Sequence, residues 1–133
     1  MKIRYTFLAV ILLTASIFLP QQASAQAPEK MSYQAIVRDS GGNLVASQLV
    51  GMQISILQGG ASVYTETQTP ITNVNGLVSL EIGTGTLVSG DFTTIDWGAD
   101  SYFIKTETDP TRGASYTITG TSQLLSVPYA LYA

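Results

Sequence analysis

The chain has 133 residues, with six Lys or Arg, nine Asp or Glu, and neither His nor Cys. That excludes a disulfide framework, a thiol nucleophile and a thiolate metal site, and it removes the commonest general base and transition-metal ligand. A formal charge of −3 leaves no electrostatic footprint for nucleic acid, and 45% apolar against 11% charged residues argues for a packed domain rather than disorder.

The N-terminus reads as a secretory signal peptide spanning residues 1–25. Lys2 and Arg4 make a short basic region, residues 5–19 form an apolar helical stretch, and Pro20 breaks it. Ala23-Ser24-Ala25 then offers small residues for cleavage before Gln26. Fifteen apolar residues are short for a membrane span, whose hydrocarbon core needs about 20. No cysteine exists to carry a lipid. The expected product is residues 26–133, exported to the periplasm, the outer cell surface or the medium, with no membrane span after cleavage. Without Lys2 and Arg4 it keeps four basic against nine acidic residues, a charge of −5.

Residues 26–133 read as strands and turns. The apolar positions of 50–56 and Val78, Leu80 and Ile82 alternate with small or polar residues, and Tyr33, Ala35 and Val37 alternate less cleanly with Ser32, Gln34, Ile36 and Arg38. Segments 63–67 and 102–108 are rich in β-branched and aromatic residues, and 116–119 with 123–127 supply the last pairings. Turn chemistry lies between them: Asp39 to Asn43, Gln58-Gly59-Gly60, Asn75-Gly76, Gly83-Thr84-Gly85, Ser89-Gly90-Asp91 and Thr111-Arg112-Gly113. Pro70 and Pro110 each close a strand. No window sustains a 3.6-residue period. About seven short strands buried on one face predict a single all-β antiparallel sandwich, with a small barrel as the competing architecture. Segment 91–98 breaks the pattern, and its Phe92, Ile95 and Trp97 are expected to plug one end of the sandwich.

Candidate chemistry is sparse. Asp91, Asp96 and Asp100, followed by Glu107 and Asp109, are the acidic cluster; they read as solvated turn acids, and calcium is the one ion whose hard-ligand preference they suit. No serine lies in Gly-x-Ser-x-Gly, and Lys30 and Lys105 sit among charged or polar neighbours, as surface lysines do. Gly83-Thr84-Gly85 has no Walker lysine and reads as a turn. An intramolecular Lys–Asn isopeptide would need a buried Asn, whereas Asn43, Asn73 and Asn75 fall in turns. The aromatics are the remaining means of binding. Trp97, Tyr102 and Tyr64 are the candidate ligand platform, with filling of the core or its end as the competing role. The segment 123–133 stays apolar to its last residue, suiting a docked terminus or a connection to further chain.

Several stretches together carry a resemblance. They are Met31-Ser32-Tyr33-Gln34-Ala35-Ile36-Val37-Arg38-Asp39 with Gly42-Asn43-Leu44-Val45, then Ile54 to Gly59, Thr72-Asn73 with Gly76-Leu77-Val78, and Ile95-Asp96-Trp97. Tyr102-Phe103-Ile104-Lys105 to Asp109-Pro110, and Gly120-Thr121-Ser122-Gln123-Leu124-Leu125-Ser126-Val127-Pro128-Tyr129-Ala130, complete the set. Over essentially all of 26–133 the chain resembles the N-terminal module of secreted surface proteins common in Bacteroidota. The resemblance implies a prealbumin- or immunoglobulin-like sandwich behind a signal peptide, heading repeats, coiled coils or fibre-like segments. It brings no catalytic residues with it. Relatives usually continue through a Lys into a linker, and their connection at Gln58-Gly59-Gly60-Ala61 is often longer. The expected function is non-enzymatic presentation at the cell surface, with an envelope protein or glycan as partner. A small carbohydrate-binding module is the alternative. No cofactor and no oligomeric state follow from the sequence.

Overall fold

The structure, a computed structural model, describes residues 29–125. The expected signal peptide, its cleavage site and the closing apolar segment 126–133 lie outside the described residues. Seven strands follow in order: β1 (Met31–Ile36), β2 (Gly51–Gln58), β3 (Ala61–Gln68), β4 (Leu77–Ile82), β5 (Thr86–Gly90), β6 (Tyr102–Asp109) and β7 (Ile118–Gln123). Among the described residues the helical content is one 3-10 turn, Phe92–Thr94. No helix among them is long and apolar enough to cross a membrane.

The strands form two antiparallel sheets, one of β1–β4 and one ordered β5-β3-β2-β6-β7. The period-2 pattern explains which faces meet. In β2, Met52, Ile54 and Ile56 point inward and are buried, opposite Thr108, Thr106 and Ile104 of β6. In β4, Val78, Leu80 and Ile82 do the same from the smaller sheet, while Ser79 and Glu81 face solvent. These residues join Val37, Val45, Val50, Tyr64, Tyr102 and Ile104 in one apolar cluster between the sheets, a sandwich-like arrangement. Each fully buried Ile or Val there contributes about 1.5–3 kcal/mol relative to exposure.

The turns follow the expected chemistry. Gly59-Gly60 joins β2 to β3 with Gly59 at φ +61°, and Asn73 Oδ1 accepts the N–H groups of Asn75 and Leu77 to shape the turn into β4. Pro70 and Pro110 lie just past the ends of β3 and β6.

Two expectations need correcting. β5 arises where the sequence pattern suggested only punctuation, and the last described strand is Ile118–Gln123, which spans the gap between the expected segments 116–119 and 123–127; residues 126 and 127 of the latter lie outside the described residues. β5 escapes the pattern because every residue in it is exposed, so no alternation marks it. A bulge at Val88, between the pairs Thr65↔Ser89 and Glu66↔Leu87, disturbs its register further.

Candidate functional site

The end of the sandwich where β6 begins carries a row of four aromatic rings. Tyr64 comes from the inner face of β3 and Tyr102 opens β6; the segment between β5 and β6 supplies Phe92 and Trp97. Asp91 caps the 3-10 turn, its Oδ1 accepting the Thr93 N–H at 2.9 Å and the Thr93 hydroxyl at 2.7 Å. These bonds hold the Asp91 carboxyl below its ordinary value, the hydroxyl bond contributing most. Phe92 then meets Tyr64 edge-on at 5.3 Å, Trp97 meets Phe92 at 5.9 Å, and Tyr102 tilts against Trp97 at 5.0 Å. Phe92 and Ile95 pack onto the core, as an end plug would.

The three platform candidates are therefore brought together but not equally presented. Tyr64 and Tyr102 are 4% and 5% exposed, and the Tyr102 hydroxyl donates to the backbone carbonyl of Asp96. Burial, then the charges of Asp96 and Asp100, push the Tyr102 phenol up. Burial and the Glu66 charge do the same for Tyr64. Trp97, at 42% exposure, alone among the three turns a substantial face to solvent. It edges an open groove of about 370 Å³ shared with Asp100, Ser101, Tyr102, Gln123, Leu124 and Leu125.

The acidic residues divide by role. Asp91, Asp96 and Asp100 are exposed, and each spends an oxygen on a nearby backbone N–H: Thr93, Gly98 and Ser101. Among the described residues no group of three or more carboxylates converges as a metal site would require. Asp109 departs from the solvated-acid reading. It is buried at 2% exposure, with Oδ1 accepting the Thr111 hydroxyl at 2.6 Å and N–H at 2.8 Å, and Oδ2 accepting the Ser115 N–H at 3.0 Å. Burial was available because the chain from Pro110 to Thr117 folds over it and supplies donors. These bonds, the Thr111 hydroxyl first, lower its carboxyl.

Glu66 is the residue that sequence reasoning missed. It points inward from β3 and is wholly buried. Its Oε1 accepts the Gly83 N–H at 2.8 Å and the Gln68 side-chain amide at 3.3 Å, while its Oε2 accepts the Gly85 N–H. Gln68 also donates to the Glu81 carbonyl at 2.8 Å, so β3 is tied to the end of β4 and to the turn into β5. Gly83-Thr84-Gly85 is thus a turn that wraps a carboxylate. A Cβ on Gly85 would lie 2.6 Å from the Thr67 carbonyl, and Gly83 holds φ +108°. Strand parity was the available signal: Tyr64 faces the core, so Glu66, two residues on, shares its face.

The remaining nucleophile candidates are accounted for locally. Ser55, Thr65 and Ser62 share hydroxyl bonds of 3.0 and 2.9 Å on the outer face of β2 and β3. Lys30 pairs with Glu81 at 2.7 Å and Lys105 with Glu107 at 2.5 Å, both partly exposed. Asn43, Asn73 and Asn75 occupy exposed turns.

With the geometry in view, comparison adds one assignment. The DUF8740 family, described only as a domain of unknown function, matches residues 32–121, from within β1 to within β7. The chain belongs to the DUF8740 family. No curated protein and no solved structure matches it. The matched stretch takes in all four rings of the aromatic row, the Glu66 clasp and the Asp109 loop. It therefore contains both buried acids and the whole DUF8740 core except the ends of the outer strands.

Proposed function

We propose that this DUF8740 domain is a non-enzymatic module exported after removal of residues 1–25, acting as the N-terminal head of a larger surface or fibre-like protein. The observation that carries the reading is how the chain uses its buried acids. Glu66 and Asp109 spend their oxygens on turn N–H and hydroxyl groups, an arrangement that stiffens a scaffold. Proton transfer would need a carboxyl aimed at a reacting group. The basic, apolar and small-residue order of 1–25 supports export, and the sequence resemblance supports a prealbumin- or immunoglobulin-like sandwich of the Bacteroidota surface type. Protease treatment of intact source cells, followed by immunodetection, tests the reading. Surface presentation predicts loss of the signal without lysis; protection until lysis of the inner membrane would refute it.

The second reading, carbohydrate binding, is favoured by one feature. Trp97 offers a half-open ring beside Asp100, Ser101 and Gln123, which pairs a stacking face with polar groups suited to sugar hydroxyls. Trp97→Ala should then abolish retention on a glycan column while circular dichroism stays unchanged. Loss of the fold in this variant would assign Trp97 to the end plug.

A further inference from the structure

Charge is unevenly distributed between the two ends of the sandwich. Of the basic residues after position 28, Lys30 is bound to Glu81 and Lys105 to Glu107. Arg112 lies past the end of β6 remote from Tyr102. Arg38 sits in the hairpin 37–45, which leads to Gln48, and the Gln48 side chain donates to the Pro110 carbonyl at that same remote end. The aromatic end has the opposite character. Asp91, Asp96 and Asp100 are exposed there, and exposed Glu29 shares a depression with Tyr64, Phe92 and Asp91. Among the described residues none of these four carboxylates has an ion-pair partner. Each aspartate commits Oδ1 to a backbone N–H, while its Oδ2 accepts no hydrogen bond among the described residues. Three grooves of about 370, 270 and 360 Å³ surround segment 91–100. Each pairs an aromatic ring with at least one of the four carboxylates, and none is lined by Lys or Arg.

We propose that the aromatic end binds an arginine-bearing peptide segment of a partner protein, one guanidinium stacking on the open face of Trp97 beside Asp100. Charge complementarity selects this occupant. A neutral sugar can stack on the same ring, but it leaves the four carboxylates uncompensated. A guanidinium uses both features at once, because its flat face stacks on an indole while its edge N–H groups bond carboxylates. Trp97 supplies the ring at 42% exposure, Asp100 lines the same groove, and Asp96 precedes the ring in the chain. The turn bonds hold these carboxylates in place before any partner arrives, which lowers the ordering cost of binding. The Tyr102 phenol, raised in part by the Asp96 and Asp100 charges, reports the same local excess of negative charge. The grooves on either side of the 3-10 turn, where Asp91 and Glu29 lie, give further cationic side chains of the segment a place. The inference is independent of the surface-head reading and competes with the glycan reading for the same ring.

Trp97 is the single tryptophan of the chain, so its fluorescence reads the groove without a label. Hexa-arginine peptide titrated into the full chain at low salt should change that emission saturably, and added salt should weaken the binding. The double variant Asp96→Asn with Asp100→Asn keeps the side-chain acceptors of the turns and should raise Kd about fivefold or more. Asp100→Asn alone carries the test if the double variant does not fold. Asp39→Asn removes one charge near Arg38, at the other end, and should leave Kd unchanged. The absence of a saturable response to the peptide would overturn the proposal, as would an unchanged Kd in whichever aspartate variant folds. A rise in Kd as large from Asp39→Asn as from Asp100→Asn would also overturn it, since net charge alone would then explain the binding. A response to a neutral hexasaccharide with none to the peptide would give the groove to the glycan reading instead.

Discussion

Glu66 on β3 accepts the backbone N–H of Gly83 at 2.8 Å, across the turn that joins β4 of one sheet to β5 of the other. Its side chain is wholly buried, and its second oxygen takes the Gly85 N–H. One carboxylate thus fixes how the two sheets are joined on the β3–β5 side.

Replacing Glu66 should therefore cost more than an ordinary strand substitution. Glu66→Ala leaves two turn N–H groups unsatisfied and opens space beside Ile54, a loss of about 3–5 kcal/mol by urea unfolding. Glu66→Gln keeps the volume but sets an amide against donors, and about 1–3 kcal/mol is expected. A change below about 0.5 kcal/mol in both variants would remove the clasp from the account.

The same clasp makes Gly85 intolerant of a side chain. A Cβ there would meet the Thr67 carbonyl at 2.6 Å, the Gln68 side chain at 2.7 Å and the Glu66 carboxylate. Gly60, in the β2–β3 hairpin, has open space at the same position. Gly85→Ala should lower stability by about 2 kcal/mol or more, and Gly60→Ala should leave it within about 0.5 kcal/mol. Paired thermal melts separate the two.

Acid should loosen the loop after β6. Asp109 has its carboxyl lowered from 3.8 in the fold, chiefly by the Thr111 hydroxyl and N–H. A depressed acid stabilises the fold at pH values above 3.8, and that contribution is lost as pH falls from there through the folded value. Asp39 and Asp91 are lowered by their own turn bonds and add to the same slope. Melting temperature should fall on acidification below about pH 4, and Asp109→Asn should flatten part of that fall. An unchanged profile in the variant would contradict the assignment.

Alkaline titration reads the aromatic end. Tyr64 and Tyr102 are both raised from 10.0, burial being the first cause in each. Their neutral forms belong to the fold, so their stabilisation is complete below pH 10 and is lost as pH climbs from 10 through the folded values. Phenolate absorbance should show two tyrosines ionising later than the rest. Tyr102→Phe should remove one of them, along with the bond to the Asp96 carbonyl.

Much of this was legible in the chain. Alternation at 50–56 and 78–82 marked the inner strands because their two faces meet different surroundings, core and solvent. β5 was hidden because both its faces meet solvent, leaving Leu87 and Val88 exposed and alternation without a cause. The plug reading of segment 91–98 holds for Phe92 and Ile95, whereas Trp97, set between Phe92 and Tyr102, keeps an open face. Glu66 and Asp109 were obscured by a composition rule that places acids outside. What brought them in was a local supply of N–H donors, which depends on turn geometry rather than on residue type.

The central claim, an exported head carried by a larger protein, meets its most direct test in the intact mass of the native product from the exported fraction of source cells. The account predicts a species that begins at Gln26 and weighs more than residues 26–133 alone. A species that retains Met1 to Ala25, or one that weighs no more than residues 26–133, would contradict it.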